Sequence, residues 1–177
     1  MIAGGPAVIA PGEFRAFAGQ FVTGVTVVTT RDGDGQFQGL TMNAVSALSL
    51  TPPLYLICVE RNATTLSPLL ESRLFGLSIL SKEQSTIARL FATKNRNKFR
   101  DCPFVVGRTG VPLIAGALGH IECSIAQTIE AGDHIVVIGQ VEHADIKGGE
   151  PLVYFRSAFL DLGGEPLGEA RALAESP

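Results

Sequence analysis

Four stretches of this 177-residue chain gather the residue types that bind ligands or carry chemistry. The first runs from Gly39 through Leu40, Thr41, Met42, Asn43, Ala44, Val45, Ser46, Ala47, Leu48, Ser49, Leu50 and Thr51 to Pro52, Pro53 and Leu54. Alternate residues of a strand point to one side, so Thr41 with Asn43, and Ser49 with Thr51, would offer hydroxyl and amide groups to a planar, hydrogen-bonding ligand. The same pattern fits one solvated face of an ordinary strand. The second is Arg61, Asn62, Ala63, Thr64 and Thr65, between an apolar run and a helical segment. Free backbone N–H groups at a helix start, with two hydroxyls, can hold a phosphate; equally, Asn62 or Thr64 can simply cap the helix. The third, Gly132-Asp133-His134, puts an imidazole at the start of a strand, on a sheet rim where barrels place ligands. A tight turn with a solvated His reads the same way. The fourth places Lys94, Arg96, Lys98 and Arg100 around Phe99. Those cations can grip a phosphate or form a solvated loop. As a nucleic-acid patch the stretch is short, with one aromatic ring to stack.

Other chemistries lack their residues. There is no GxxxxGK[ST] loop, and the closely spaced Gly33 and Gly35 belong to a turn rather than to a GxGxxG after a strand, so a Rossmann nucleotide site is unsupported. HExxH and GxSxG are absent. His120 and Glu122 alternate on one strand while His143 lies elsewhere, which reads as surface residues rather than a convergent metal set. Cys102, before Pro103 in a polar stretch, is expected to be accessible, but nothing beside it in sequence would activate a thiol.

Strands and turns must position these groups. Phe14, Phe17 and Phe21 recur at helical spacing. Val22 to Thr30 is β-branched and reads as a strand. The two Asp-Gly pairs at 32–35 predict a hairpin turn, with Phe37 to about Ser49 as the partner strand. Pro52-Pro53 marks a strand start or an edge, and Leu54 to Val59 reads as a buried strand. A short helix is expected over 62–72 and a strand over Leu74–Leu80. Ser81 and Gln84 form a capping box ahead of a helix ending near Lys94. Residues 95–111 read as loop. Long strands follow at 118–129 and 134–146, joined by a turn at 131–133, and a last strand at 151–159. About seven strands, two or three short helices and no βαβ rhythm predict an all-β (β with minor α) closed barrel of antiparallel strands with short peripheral helices. The expected organisation is a leader at 1–12, one domain at 13–160 and a tail at 161–177.

Composition narrows the field. Twenty glycines, ten prolines and no tryptophan suit a turn-rich β protein. A net charge of −3 argues against nucleic acid, and no apolar run reaches the length of a membrane-spanning helix. Cys58, Cys102 and Cys123 form no CxxC and are odd in number, which suits free thiols in a cytoplasmic protein.

Taken in order, these stretches resemble the short-chain flavin reductases, the reductase components of two-component flavin-dependent monooxygenases. The resemblance covers residues 13–160 and rests on FVTGVTVVTT (21–30), GLTMNAVSALSLTPPL (39–54), LYLICVERNATT (54–65), RLFGLSIL (73–80), GDHIVVIGQV (132–141) and PLVYF (151–155). It implies a split β-barrel, a homodimer, and hydride transfer from NADH or NADPH to FAD or FMN, with reduced flavin passed to a partner monooxygenase. It implies no catalytic acid or base and no metal. Thr41, Met42, Asn43, Ala44, Ser46, Ala47 and Ser49 would run beside the flavin ring and ribityl chain. Asn62, Ala63, Thr64 and Thr65 would meet the flavin phosphate, and Lys98 would reach it too. His134, Tyr154 and Phe155 would contact the nicotinamide nucleotide. Two positions depart from the family pattern: Ala47 stands where Ser is common, and Thr64-Thr65 replaces a Ser-containing pair. Two alternatives keep the barrel: an electron carrier holding flavin tightly, or a non-catalytic flavin- or haem-binding module.

Overall fold

The computed structural model describes residues 9–95 and 97–163. Most of the expected leader and tail, and Arg96, lie outside the described residues. Helix α1 (Pro11–Ala18) opens with proline in its first turn, where a missing N–H costs nothing. Glu13 accepts the N–H of Ala10 at 3.2 Å. Phe14 and Phe17 do fall on a helix, yet both stay largely exposed, as does Phe21 beyond it.

The chain continues through β1 (Thr23–Gly24), β2 (Thr26–Arg31) and β3 (Phe37–Met42). The Asp-Gly turn forms as predicted: Asp32 Oδ1 accepts the N–H groups of Asp34 (3.1 Å) and Gln36 (2.7 Å), and Gly35 takes a positive φ. Next come β4 (Val45–Leu50), β5 (Pro53–Glu60), α2 (Leu66–Ser72) and β6 (Leu74–Ile79). The Ser81–Gln84 box is realised, with the Gln84 side chain accepting the Ser81 N–H at 3.0 Å, but it opens a 3-10 turn before α3 (Ser85–Phe91). The 95–111 stretch, expected as loop, holds a 3-10 turn at Lys98–Arg100 and β7 (Phe104–Val106), which pairs with β8 (Pro112–Ile114). The long strands β9 (Gly119–Ala131) and β10 (His134–Ile146) match the prediction. The last expected strand is instead a tight hairpin of β11 (Val153–Phe155) and β12 (Ala158–Leu160). Its turn holds Arg156 and Ser157 at positive φ with no glycine, which is why its residues gave no turn signal.

The decisive departure is at Asn43-Ala44. Residues 37–49 are not one strand. β3 and β4 are opposite edges of a seven-stranded antiparallel sheet, ordered β3-β2-β6-β9-β10-β5-β4. Laid flat, six strand spacings would part those edges by about 29 Å. The two linking residues let Met42 and Val45 stand no more than about 11 Å apart. The sheet must therefore curl until its edges approach, and because β3 and β4 share no ladder the barrel stays split along that seam.

Inside the barrel pack Val28, Ile57, Val59, Phe75, Leu77, Cys123, Ile125 and Val137 with Met42, all buried. A second core lies outside β2, where Val27, Leu80, Ala88, Phe91, Cys102, Ile114 and Leu152 gather under α3. Strand β2, next to the β3 edge, is buried on both faces. Gly39 lets α3 approach: a Cβ there would lie 2.8 Å from the Phe91 ring.

His120, expected at the surface, is 5% exposed, with its Nε2–H donating to Ile114 O at 2.7 Å. Next to it the buried Glu122 carboxylate accepts the N–H groups of Arg108 (3.0 Å) and Thr109 (2.6 Å) and the Thr109 hydroxyl (2.6 Å). Burial opposes ionisation, but these donors, with His143 nearby, outweigh it and hold the carboxyl below the ordinary carboxylate range. Glu122 thus latches the 107–111 turn to β9. Glu122→Gln should lower unfolding free energy at pH 7 by roughly 1–3 kcal/mol. Because the folded-state pKa is depressed, the wild-type advantage exists above the unfolded carboxyl value near 4.3 and fades as pH falls below it. Urea unfolding at pH 7 and pH 3 tests this; an equal gap at both would remove the carboxylate from the role.

Candidate functional site

Beside the seam, between β3 and the end of β5, lies a groove of about 230 Å³. Leu40 and Thr41 form one wall, Glu60 and Asn62 through Thr65 another, and Phe91 through Lys94 with Lys98 the third. Three separate sequence stretches therefore meet: the Thr-x-Asn segment, the 61–65 loop and the basic 94–100 segment.

Lys98 is the feature with the greatest electrostatic consequence. It is 5% exposed. Its Nζ donates to Gly39 O (2.8 Å) and Phe91 O (3.0 Å) and stands 5.7 Å from the centre of the Phe91 ring. The fold holds it there through Phe99, whose ring makes edge-on contacts with Phe37, Phe91 and Phe104 at 5.1–5.7 Å between centroids. Among the described residues no carboxylate lies within 4 Å of this ammonium. Desolvation pushes its pKa below the usual lysine value. An ammonium has three donors; two are spent on carbonyls, and the third is available to an anion in the groove.

The 61–65 loop faces it. Ala63 N–H closes a turn on Glu60 O (3.0 Å), and α2 starts later than predicted, at Leu66, with Thr65 at its N-cap making no side-chain cap bond. Neither Asn62 nor Thr64 caps the helix. No hydrogen bond among the described residues uses the N–H of Thr64 or Thr65.

The other predicted residues fall into separate places. Thr41 Oγ1 donates to Ala88 O (2.6 Å), tying β3 to α3. Met42 buries its side chain in the barrel core, leaving only its main chain near the seam. Asn43 and Ala44 are the strand switch; Asn43 Nδ2 donates to Thr23 Oγ1 (3.1 Å), and Ala44 O accepts from Cys58 N–H (2.9 Å). Ser46, Ala47 and Ser49 lie on edge strand β4, where a bulge between Ala47 and Ser49 breaks the register. The single row expected at 41, 43, 49 and 51 therefore does not exist, because the chain changes sheet edge between its members. Asn43 and Tyr154 share a second pocket of about 260 Å³ with Arg15, Ala18, Gly19, Phe21 and Ser157. His134 pairs across from Glu60, next to the 61–65 loop, and its Nδ1 lies 2.7 Å from Asp133 Oδ1. That contact holds the Asp133 carboxyl below its ordinary value. Phe155 lies beneath the Arg156 guanidinium, 4.9 Å from its ring centre.

The basic segment was legible as cations; nothing local said that Lys98 would be the buried one. Arg15 was missed altogether, because an isolated Arg on an exposed helix carries no pattern. Cys102, expected to be accessible, is 4% exposed and burial pushes its thiol up to about 11. Among the described residues no group of His, Cys, Asp and Glu converges as a metal site.

Comparison with known proteins decides the family. Residues 18–163 match the flavin reductase like domain. The chain belongs to the flavin reductase family. It is 34% identical over 155 residues to the reductase subunit HsaB of a flavin-dependent monooxygenase from Rhodococcus jostii, covering 87% of this chain and 79% of that one. It is 36% identical over 167 residues to an NADH flavin reductase from Kitasatospora aureofaciens, covering 87% and 85%. In solved structures, the fold matches BorF, the flavin reductase component of a bacterial two-component tryptophan halogenase, with TM-score 0.82 and 35% identity over 88% of this chain and all of that one. It also matches the NADH:FAD oxidoreductase SgcE6 of Streptomyces globisporus, in complex with NAD and FAD fragments, with TM-score 0.81 and 35% identity over 87% and 95%. As in those flavin reductases, the antiparallel barrel predicted from the residues is the fold.

Thiol chemistry is not part of this site. Under native conditions a thiol reagent should titrate at most one group, the half-buried Cys58, and three after unfolding. Rapid native modification of Cys102 or Cys123 would contradict their burial.

Proposed function

We propose that this flavin reductase catalyses NADH:flavin oxidoreduction, taking FMN or FAD as a dissociable substrate and passing reduced flavin to a partner monooxygenase. The observation that carries the placement is the buried Lys98 ammonium, with no carboxylate among the described residues within 4 Å, in one groove with Thr64 and Thr65, whose N–H groups make no hydrogen bond among the described residues. A flavin phosphate supplies the missing negative charge and accepts those donors.

The residues fit such a nucleotide. Lys98, Asn62, Ala63, Thr64 and Thr65 would hold the phosphate. Thr41, Asn43, Ala44, Ser46, Ala47 and Ser49, with the main chain of Met42, would flank the ribityl chain and ring along the seam. His134, Tyr154 and Phe155 would meet the nicotinamide nucleotide. The chemistry supplied by the bound nucleotides is hydride transfer from nicotinamide C4 to flavin N5, which asks orientation of the protein rather than an acid–base pair.

A groove near 230 Å³ is below the usual range of small-molecule sites, roughly 300–1,000 Å³, so it suits one end of a flavin. The ring would extend over β4, whose Leu48 and Leu50 are exposed, as are Phe14, Phe17 and Phe21. A second copy covering those apolar groups would complete the ring's surroundings, and we infer a homodimer on that ground. Three free cysteines support a cytoplasmic location, and no helix among the described residues is long and apolar enough to cross a membrane.

The first test is NADH oxidation by dialysed protein with and without added FMN or FAD. Oxidation that appears only with added flavin and saturates with it supports the reductase; yellow colour retained through dialysis supports the tight-binding carrier instead. Lys98→Met should raise the flavin KM by roughly tenfold or more, the worth of a charge-assisted hydrogen bond. Asn43→Ala should weaken flavin binding as well. His134→Ala should raise the NADH KM more than the flavin KM, and an unmoved NADH KM would withdraw His134 from the nicotinamide side.

A further inference from the structure

The pocket at the end of α1 is lined by one guanidinium, that of Arg15, and bordered by the turn that carries a second, that of Arg156; the flavin groove uses neither. Arg15 lines it beside Phe21, Asn43, Tyr154 and Ser157. Arg156 stands next to it in the β11–β12 turn. Its N–H donates to Gly19 O (3.2 Å), its Nε and Nη2 donate to Gln20 Oε1 (3.1 and 2.5 Å), and its guanidinium lies over the Phe155 ring. Among the described residues neither Arg15 nor Arg156 has a carboxylate within 4 Å. One such cation thus lines a small pocket holding Phe21 and Tyr154, and the other sits in the turn whose Ser157 lines it.

The turn that presents Arg156 is costly in conformation. Arg156 (φ 46°) and Ser157 (φ 64°) occupy the left-handed positions that two-residue hairpins give to Asn and Gly. The turn therefore sets an arginine against the end of α1 at a position where a glycine would sit without strain. The pocket is also placed to serve the seam. Asn43 lines it, and Thr41, two residues earlier, lines the flavin groove, so the two openings stand roughly 7 Å apart along one stretch of chain. At about 260 Å³ it takes a ring or a phosphate group, not a whole dinucleotide.

We propose that Arg15 and Arg156 form the pyrophosphate subsite of the hydride donor, fixing the diphosphate of NADH at the α1–hairpin junction so that its nicotinamide is delivered to a flavin lying along Thr41–Asn43. Guanidinium forks match phosphate oxygens two at a time, and a pocket lined by Phe21 and Tyr154 beside them suits the ring of a dinucleotide. The assignment rests on the flavin placement proposed above.

The test separates the two. Binding of ADP-ribose, which has the diphosphate but no nicotinamide, is measured by titration calorimetry on flavin-free protein. Arg15→Ala and Arg156→Ala should each weaken it roughly tenfold or more, while FMN affinity is unchanged; Arg156→Lys should recover part of the loss. In turnover, both variants should raise the NADH KM and leave kcat/KM for 1-benzyl-1,4-dihydronicotinamide, which has no phosphate, as in wild type. Both side chains are solvent-exposed, so the variants should fold. Undiminished ADP-ribose binding in both variants overturns the subsite. A loss of FMN affinity instead assigns these cations to the flavin and also overturns it. Failure of the flavin placement reads differently: Lys98→Met would then leave FMN affinity intact.

Discussion

Two residues, Asn43 and Ala44, must join opposite edges of a seven-stranded sheet, and the rest of the molecule follows from that constraint. A link this short forces the sheet to close, and closure gives the interior core around Phe75, Ile57 and Val137 its shape. Because the edges meet through the chain rather than through a ladder, the barrel keeps a seam whose backbone and short polar side chains face outward. The candidate site is that seam. The 61–65 loop, the 3-10 turn at Lys98 and the α1–hairpin junction are all arranged along it.

The seam also explains which parts of the fold were legible. The hairpin at 31–37 was, because Asp-Gly fixes its backbone locally. So were β5, β6, β9 and β10, whose apolar runs leave little choice. The switch at Asn43 was not: alternation is the same whether a strand continues or crosses to the other sheet edge, and only closure of the whole sheet distinguishes the cases. The β11–β12 turn was hidden because Arg156 and Ser157 are poor turn formers, held at positive φ by surroundings distant in sequence. Burial of His120, Cys102 and Lys98 depended on segments that cover them from elsewhere. For the site, the residue types and the 61–65 loop were readable, whereas which cation would be buried and which residues would share a pocket required the third dimension.

Electrostatics then divides the seam. One end holds Lys98, kept dry by an aromatic cluster, with no carboxylate among the described residues within 4 Å of its ammonium although Glu60 lines the same groove. The other holds Arg15 and Arg156, exposed and likewise without a carboxylate partner. Between them the side chains are neutral: Thr41, Asn43, Ser46 and Ser49. A buried ammonium is expensive unless something compensates it, and two carbonyls do so only partly. That residual cost is returned when an anion arrives, so the same feature that weakens the empty fold strengthens binding.

The neutral middle matters as much as the charged ends. Hydride transfer between two planar rings moves no proton through a side chain of the protein, so a carboxylate or imidazole dyad would add nothing to the step. What the step requires is that two nucleotides, each with its phosphates remote from its reacting ring, lie with those rings together. On the proposed placement, Lys98 at one opening and Arg15 with Arg156 at the other would meet that requirement by holding the phosphates apart and leaving the rings to share the centre. Two small openings, of about 230 and 260 Å³, would do this without enclosing either nucleotide. Exchange of both is then the natural consequence of the geometry, as a reductase that hands its product to a second protein requires.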